Sequence, residues 1–400
     1  MNILILAHRL PYPPDKGEKI RSFHLLRYLS RRHAVWCACL IDDPSDWKYV
    51  PELRSLCREL AVFPVRRMLG LIRGLGRLVI GGTITEGYFT SRPLAAAITE
   101  WSTRVRFDAV LAFSSGTARY VLEASAPRRV LDLCDIDSAK WRALAERSRW
   151  PVRGVLRAEA KRLARREWEL ASAFDVTTVI SDREAEMFKQ IAAAQGPGPA
   201  GPQPEVVVLS NGVDLEAFRP FENAPCGPVV GFVGTMNYAP NVDGVCWFVE
   251  EAWPRIRRQH PQARFLIVGR SPVRRVRQLA HSPGVEVTGS VPDVREYLKI
   301  IRVCVAPIRI VHGLQNKVLE AMACAKPVVT TGKVAGAIDA QPGREIMVAD
   351  EACAFAEQTA TLLGDEGRCE EVGQAARRFV ETRFRWEDRA RTMEDLISCD

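Results

Sequence analysis

Short unbroken apolar runs alternate with longer segments whose apolar residues recur at spacings of three and four, from one end of the chain to the other. The short runs predict strands at 3–7, 35–40, 109–113, 130–133, 176–180 and 206–209, and again at 229–233, 264–268, 285–288, 303–306 and 328–331. The longer segments, such as 21–30 and 244–258, predict helices. Strand, helix, strand repeated in this way implies parallel sheets wrapped by helices. Continuous apolar runs fit strands covered on both faces.

The chain has 400 residues, which exceeds what a single core usually holds and predicts two domains. The stretch 196–204 holds three Gly and four Pro in nine positions and cannot continue a helix. It is read as a surface loop just before the junction. One more strand and the turn Ser210-Asn211-Gly212-Val213-Asp214 come after it. The expected organisation is a first domain over 1–218, a second over 219–383, and a last helix over 384–400. That helix carries Trp386, Ala390, Met393 and Ile397 on one face.

Composition changes the picture in three places. Residues 1–218 hold 32 basic and 25 acidic side chains, against 24 and 23 in 219–400, so an anionic partner is expected on the first half only. Within it, 61–85 contains no acidic residue, and Arg66, Arg67, Arg73 and Arg77 punctuate Met68, Leu71, Ile72, Leu75, Leu78 and Val79. Residues 140–166 add ten Lys/Arg against two Glu. This pattern suits an anionic bilayer surface; packed helices with a solvated basic face are the alternative. Eleven cysteines, an odd count without a C-x-x-C pair, point to a reducing compartment and away from a zinc ribbon. The first apolar run is short, with no basic region before it and no cleavage site, so it reads as a strand rather than a signal peptide. No 18 apolar residues run together. The expected location is cytoplasmic, soluble or peripheral on the membrane.

Candidate chemistry concentrates where strands end. After the run 303–306 come His312, Gly313, Leu314, Gln315, Asn316, Lys317 and Glu320, with a helix expected over roughly 315–325. A glycine-containing loop leading into a helix presents backbone N–H groups to an anion. Lys317 in the first turn opposes the helix dipole unless an anion compensates it; a surface pair with Glu320 is the rival explanation. After the first run come Asp15, Lys16, Gly17, Glu18, Lys19 and Arg21. A nicotinamide-binding turn would need three glycines here, and only Gly17 is present. An ordinary loop with solvated lysines remains the alternative. A third group, Asp132, Asp135, Asp137, Ser138 and Lys140, lies at and after the run 130–133. Asp137 or Ser138 is expected to cap the next helix, and Asp135, in the loop proper, is the candidate for contacting a ligand. A dedicated metal cage is not indicated. The basic residues lack interleaved aromatics, which disfavours nucleic acid.

The stretch HGLQNKVLEAMACAKPVV, 312–329, resembles the donor-site signature of retaining glycosyltransferases of family 4, which have the GT-B fold of two facing Rossmann-like domains. Glu320 matches the second acid of that signature, and Ala321, Met322, Ala323, Pro327, Val328 and Val329 match the positions after it. His312 stands where the first acid would be. The stretches PYPPDKGEKIRSFHLLRYLS, LDLCDIDSAKW, VGTMNYAPNVDGVCWF and GLQNKVLEAMA look most like the sugar transferases of exosortase-associated (PEP-CTERM) exopolysaccharide loci. The resemblance implies transfer of a sugar from a nucleotide-diphosphate sugar to a glycan or polyprenyl-linked acceptor, with no bound cofactor or metal. It implies a C-terminal helix that crosses back to the first domain. It points to donor contacts at Gly17, Lys19, Gly234, Thr235, Asn237, Val291, Gly313, Leu314, Asn316 and Glu320, the last on the ribose. Lys317 is added as the candidate for the charge that the loop 233–244 lacks. Lys317, Asp135 and His312 are the candidates for catalysis, with the leaving diphosphate itself taking the acceptor's proton. A nucleotide-sugar epimerase or a non-catalytic scaffold on the same fold are the alternatives.

Overall fold

A computed structural model describes residues 1–15, 17–195, 204–222, 227–310 and 313–398. They divide into two compact units, Met1–Asn211 with Trp386–Asp400, and Gly212–Arg385. The divisions fall at the Asn211-Gly212 turn and at Trp386, rather than at the expected 218 and 384.

The first unit is built on seven strands: β1 (Asn2–Ala7), β2 (Ala34–Ile41), β3 (Glu59–Pro64), β4 (Ala109–Phe113), β5 (Arg128–Cys134), β6 (Val176–Val179) and β7 (Glu205–Val208). They pair in parallel in the order β3-β2-β1-β4-β5-β6-β7. The second unit has β8 (Val229–Val233), β9 (Arg264–Val268), β10 (Val285–Gly289), β11 (Val303–Ala306), β12 (Val328–Thr330) and β13 (Met347–Val348). Their order is β10-β9-β8-β11-β12-β13, again all parallel. Each sheet starts in its middle, grows to one side, then returns past its first strand. The reversal lies between β1 and β4 in one unit and between β8 and β11 in the other. In open parallel sheets such a reversal leaves a ligand crevice at the carboxyl ends of the two strands.

The central strands are buried on both faces, as their unbroken apolar runs require: Ile3 to Leu6 and Val110 to Ala112 are fully buried. The last helix, Trp386–Ile397, belongs to the first unit. Its Ala390, Met393 and Ile397 join Ile3, Ile5, Leu25, Leu29 and Leu111 in one core cluster, and Trp386 stacks on His24 with ring centroids 4.8 Å apart.

Two expectations are corrected here. The helix read over 244–258 is three pieces, Ala239–Trp247, a π-helical turn at Phe248–Ala252, and Trp253–Gln259. Pro254 near the start of the last piece has no N–H to continue the ladder, and the wider turn precedes it. The helix Asp137–Arg147 is capped by neither Asp137 nor Ser138. Glutamates from later helices take that role: Glu167 accepts from Ser138 N at 3.0 Å, and Glu184 from Ile136 N at 2.6 Å. Burial pushes the Glu167 carboxyl up to about 8.

Candidate functional site

In the second unit the reversal between β8 and β11 gathers two loops and two helix starts. Gly234, Thr235 and Asn237 come directly after β8. Gly234 N donates to Val268 O at 2.9 Å, and a Cβ on Gly269 would lie 1.7 Å from Gly234 O, so the β8 and β9 ends approach as only glycine allows. The next helix, Ala239–Trp247, brings in Asn241, which is buried and donates through Nδ2 to Thr235 O at 2.9 Å. That helix in turn touches the end of β11: a Cβ on Gly244 would meet Pro307 O at 2.4 Å. Arg309 seals the same junction, placing Nε and Nη2 3.0 and 2.8 Å from the two carboxylate oxygens of Asp243.

From the β11 side, Gly313 turns the chain at φ 63°, a conformation cheap only for glycine, and Leu314 packs on the core. The helix Asn316–Ala323 starts with no side-chain cap on its first turn. Lys317 is half-buried there. Its Nζ donates to Asn241 Oδ1 at 2.7 Å and to Gln315 Oε1 at 3.2 Å, and lies 5.3 Å from the centre of the Phe232 ring. Both acceptors are neutral amides. Burial lowers the Lys317 ammonium to about 8 against the raising influence of Glu320, and burial pushes the Glu320 carboxyl up to about 7 against Lys317. Among the described residues the two make no ion pair within 4.0 Å, so the surface-pair explanation of Lys317 does not describe this structure. The site therefore holds a desolvated cation at a helix start, beside a desolvated carboxyl one turn on. A phosphate group offered to that cation would relieve its local cost. Val291, after β10, is partly buried against the core. His312 lies outside the described residues.

The first unit treats its charges differently. The helix after β1 starts at Gly17, where a Cβ would meet nothing within 4 Å. Lys19 is neither solvated nor free: it is 1% exposed, with Nζ 3.0 Å from Asp46 Oδ2 and 3.4 Å from Asp15 Oδ1. It braces the loop instead of offering its charge. Arg21, equally buried, donates to Asp132 Oδ2 at 2.6 Å, to Leu209 O at 2.6 Å and to Asn211 Oδ1 at 3.3 Å. Asp135 is half-exposed and bound to Lys140 at 2.9 Å, which also reaches Asp137 at 3.0 Å. His8, just past the end of β1, is buried with Nδ1 unpartnered, and burial lowers its imidazole to about 4, so it is neutral at physiological pH.

The lysine–asparagine contact was invisible in sequence, because Asn241 and Lys317 are 76 positions apart. A signal did exist in the loop after β8, 234–238, which contains no Lys or Arg, so no cation comes from it.

Residues 227–365 match the family model described as glycosyl transferases group 1, so the match lies within the second unit. No curated protein matches the sequence. Solved structures do match over essentially the whole chain. Sucrose-phosphate synthase from Thermosynechococcus elongatus superposes with a TM-score of 0.69 at 17% identity, over 99% of this chain and 98% of that one. Anabaena HepE in complex with UDP and glucose gives 0.66 at 16% identity, over 99% and 98%. A variant of S. aureus TarM in complex with fondaparinux, α-GlcNAc-glycerol and UDP gives 0.66 at 10% identity, over 100% of both chains. The fold is that of the GT-B glycosyltransferases. The second unit matches the glycosyl transferases group 1 model, and the fold throughout is that of the GT-B enzymes.

Proposed function

We propose that the second unit binds a nucleotide-diphosphate sugar at the β8–β11 reversal, and that the chain moves the sugar with retention of configuration to a glycan or lipid-linked acceptor in exopolysaccharide assembly. The observation that carries the reading is Lys317: a cation on the first turn of a helix, held by two neutral amides and, among the described residues, without a carboxylate within ion-pair distance. The complexes of the Anabaena neighbour with UDP and glucose support a UDP-type donor, and the fondaparinux complex of TarM a glycan acceptor.

In this reading Lys317, Asn316 and the backbone of Gly313–Leu314 hold the diphosphate, with Gly234, Thr235 and Asn237 closing the β8 side. Glu320 accepts from the ribose hydroxyls. The Val291 backbone borders the base. As the anomeric C–O bond breaks, negative charge grows on the departing diphosphate oxygen. The acceptor hydroxyl attacks from the same face, and its proton passes to that oxygen. The protein's part is to stabilise the growing charge with donors already in place, where removing one donor typically costs about 10²–10³ in rate. Gly17 is assigned to the donor diphosphate, and Asp135 is a catalytic candidate. His312 stands in the place of an acid. No resident cofactor or metal takes part. The acceptor is carried at the cytoplasmic face of an anionic membrane.

Incubation with several sugar nucleotides, with and without a polyprenyl-linked acceptor, tests the reading. Nucleotide release that requires acceptor is the expected result. Turnover without acceptor would instead identify an epimerase, and binding without turnover a scaffold.

A further inference from the structure

The Arg67–Val79 helix is turned the wrong way round for a protein in water. Its buried residues are Gly70 and Gly74, which lie against the short helix Ile84–Tyr88. A Cβ on Gly74 would sit 2.8 Å from Ile84 O, and one on Gly70 3.0 Å from the Tyr88 ring. Glycines four apart mark one helix face. The opposite face carries Met68, Leu71, Ile72, Leu75 and Val79, which are 74%, 47%, 64%, 50% and 85% exposed. An ordinary surface helix buries that face and shows its charges. Here the arginines bend back toward the protein: Arg67 donates to Asp42 O at 2.7 Å, Arg73 to Thr90 O at 3.2 Å, and Arg77 lies 3.9 Å from Glu86.

A neighbouring helix also carries exposed apolar residues. Arg162 of the helix Val152–Ala171 donates to Leu78 O and Gly82 O, and Glu159 accepts from Ile84 N, Thr85 N and Thr85 Oγ1. Two to three turns earlier on that helix Val152 and Val155 are open to solvent, and Trp150 just before it is 85% exposed. One of the two glutamates among the ten basic residues of 140–166 is Glu159, already consumed by those buried bonds.

We propose that this face of the first unit docks on an anionic lipid bilayer, the Arg67–Val79 helix lying in the interface with its leucine face among the acyl chains and the arginines at phosphate level. An apolar centre with a cationic rim matches the two layers such a surface presents. A second copy of the chain would set the same cationic rims against each other. The docking deepens the membrane part of the function proposed above and is independent of the donor chemistry.

The full chain is floated with vesicles of phosphatidylcholine alone or mixed with phosphatidylglycerol. It should rise with the anionic vesicles only, and raised salt should weaken the association. The combined variant Leu71→Ser, Ile72→Ser, Leu75→Ser leaves charge and the glycine packing intact, and should lower the bound fraction by at least about tenfold. Its nucleotide binding should be unchanged, which separates this test from the donor assignment. Flotation unaffected by the triple change, or equal on neutral and anionic vesicles, would overturn the proposal. So would a wild-type dimer that the triple change turns into a monomer while neither protein floats.

Discussion

The two units share one strand order and handle cations at their strand ends in opposite ways. In the first, Lys19 lies between Asp46 and Asp15, and Arg21 is locked to Asp132, both cations almost wholly buried. In the second, Lys317 rests on the amide oxygens of Asn241 and Gln315. A cation neutralised by buried carboxylates is part of the scaffold. One hydrogen-bonded to amides, with no carboxylate in ion-pair distance among the described residues, is under-compensated and ready for an anion. Arg309 shows that the second unit can neutralise a cation where it needs a brace, since Asp243 takes it in a two-point pair. The contrast at Lys317 is therefore a property of that position rather than of the domain.

The largest effect expected from this comparison is on folding. Asp132→Ala leaves Arg21 buried and uncompensated, and should cost about 3–5 kcal/mol in a denaturant midpoint. Lys317→Ala should change stability by under about 1 kcal/mol while cutting acceptor-dependent nucleotide release by about 10²–10³-fold. If the stability loss were the larger at Lys317, the two cations would be alike and the contrast would fail. Glu320→Gln should weaken nucleotide binding by about 1.5–3 kcal/mol, the value of a hydrogen bond to a charged group, seen as a raised dissociation constant with the fold intact.

The smallest effect is on pH. Lys317 titrates near 8 and Glu320 near 7 without ligand. Diphosphate affinity should therefore fall as pH rises above about 8, up to about tenfold per unit while the lysine is neutral. It should fall again below about 7 as Glu320 takes a proton. Lys317→Arg, which keeps its charge, should remove the alkaline fall. For the unliganded fold the signs are opposite to those of a salt bridge. The raised Glu320 makes stability decline between pH 4.5 and about 7, and the lowered Lys317 makes it recover between about 8 and 10.5.

The alternation of apolar runs located eleven of the thirteen strands among the described residues, because buried parallel strands leave continuous runs. The two that escaped are edge strands. β3 carries the apolar run 60–63 but is only half-buried along its length, and β13 is two residues long and leaves no such run. Lys317 and Glu320 stood out because they are close in sequence and share a helix. The group that holds Lys317 did not, since Asn241 comes from the other side of the reversal. The capping glutamates Glu167 and Glu184 were hidden for the same reason, each serving a helix start far from it in the chain. Lys19 shows the converse. The sequence offered it as a donor contact or a solvated loop lysine, and only packing against Asp46 revealed a buried brace.

The central claim is that Lys317 is held for a diphosphate. Calorimetric titration of wild type and Lys317→Ala with UDP and GDP, each beside its own nucleoside, tests it most directly. The account predicts that the substitution weakens whichever diphosphate the wild type prefers by at least about tenfold, equivalent to about 1.4 kcal/mol, and leaves the nucleoside's affinity unchanged. Equal affinity of both proteins for that diphosphate would contradict it.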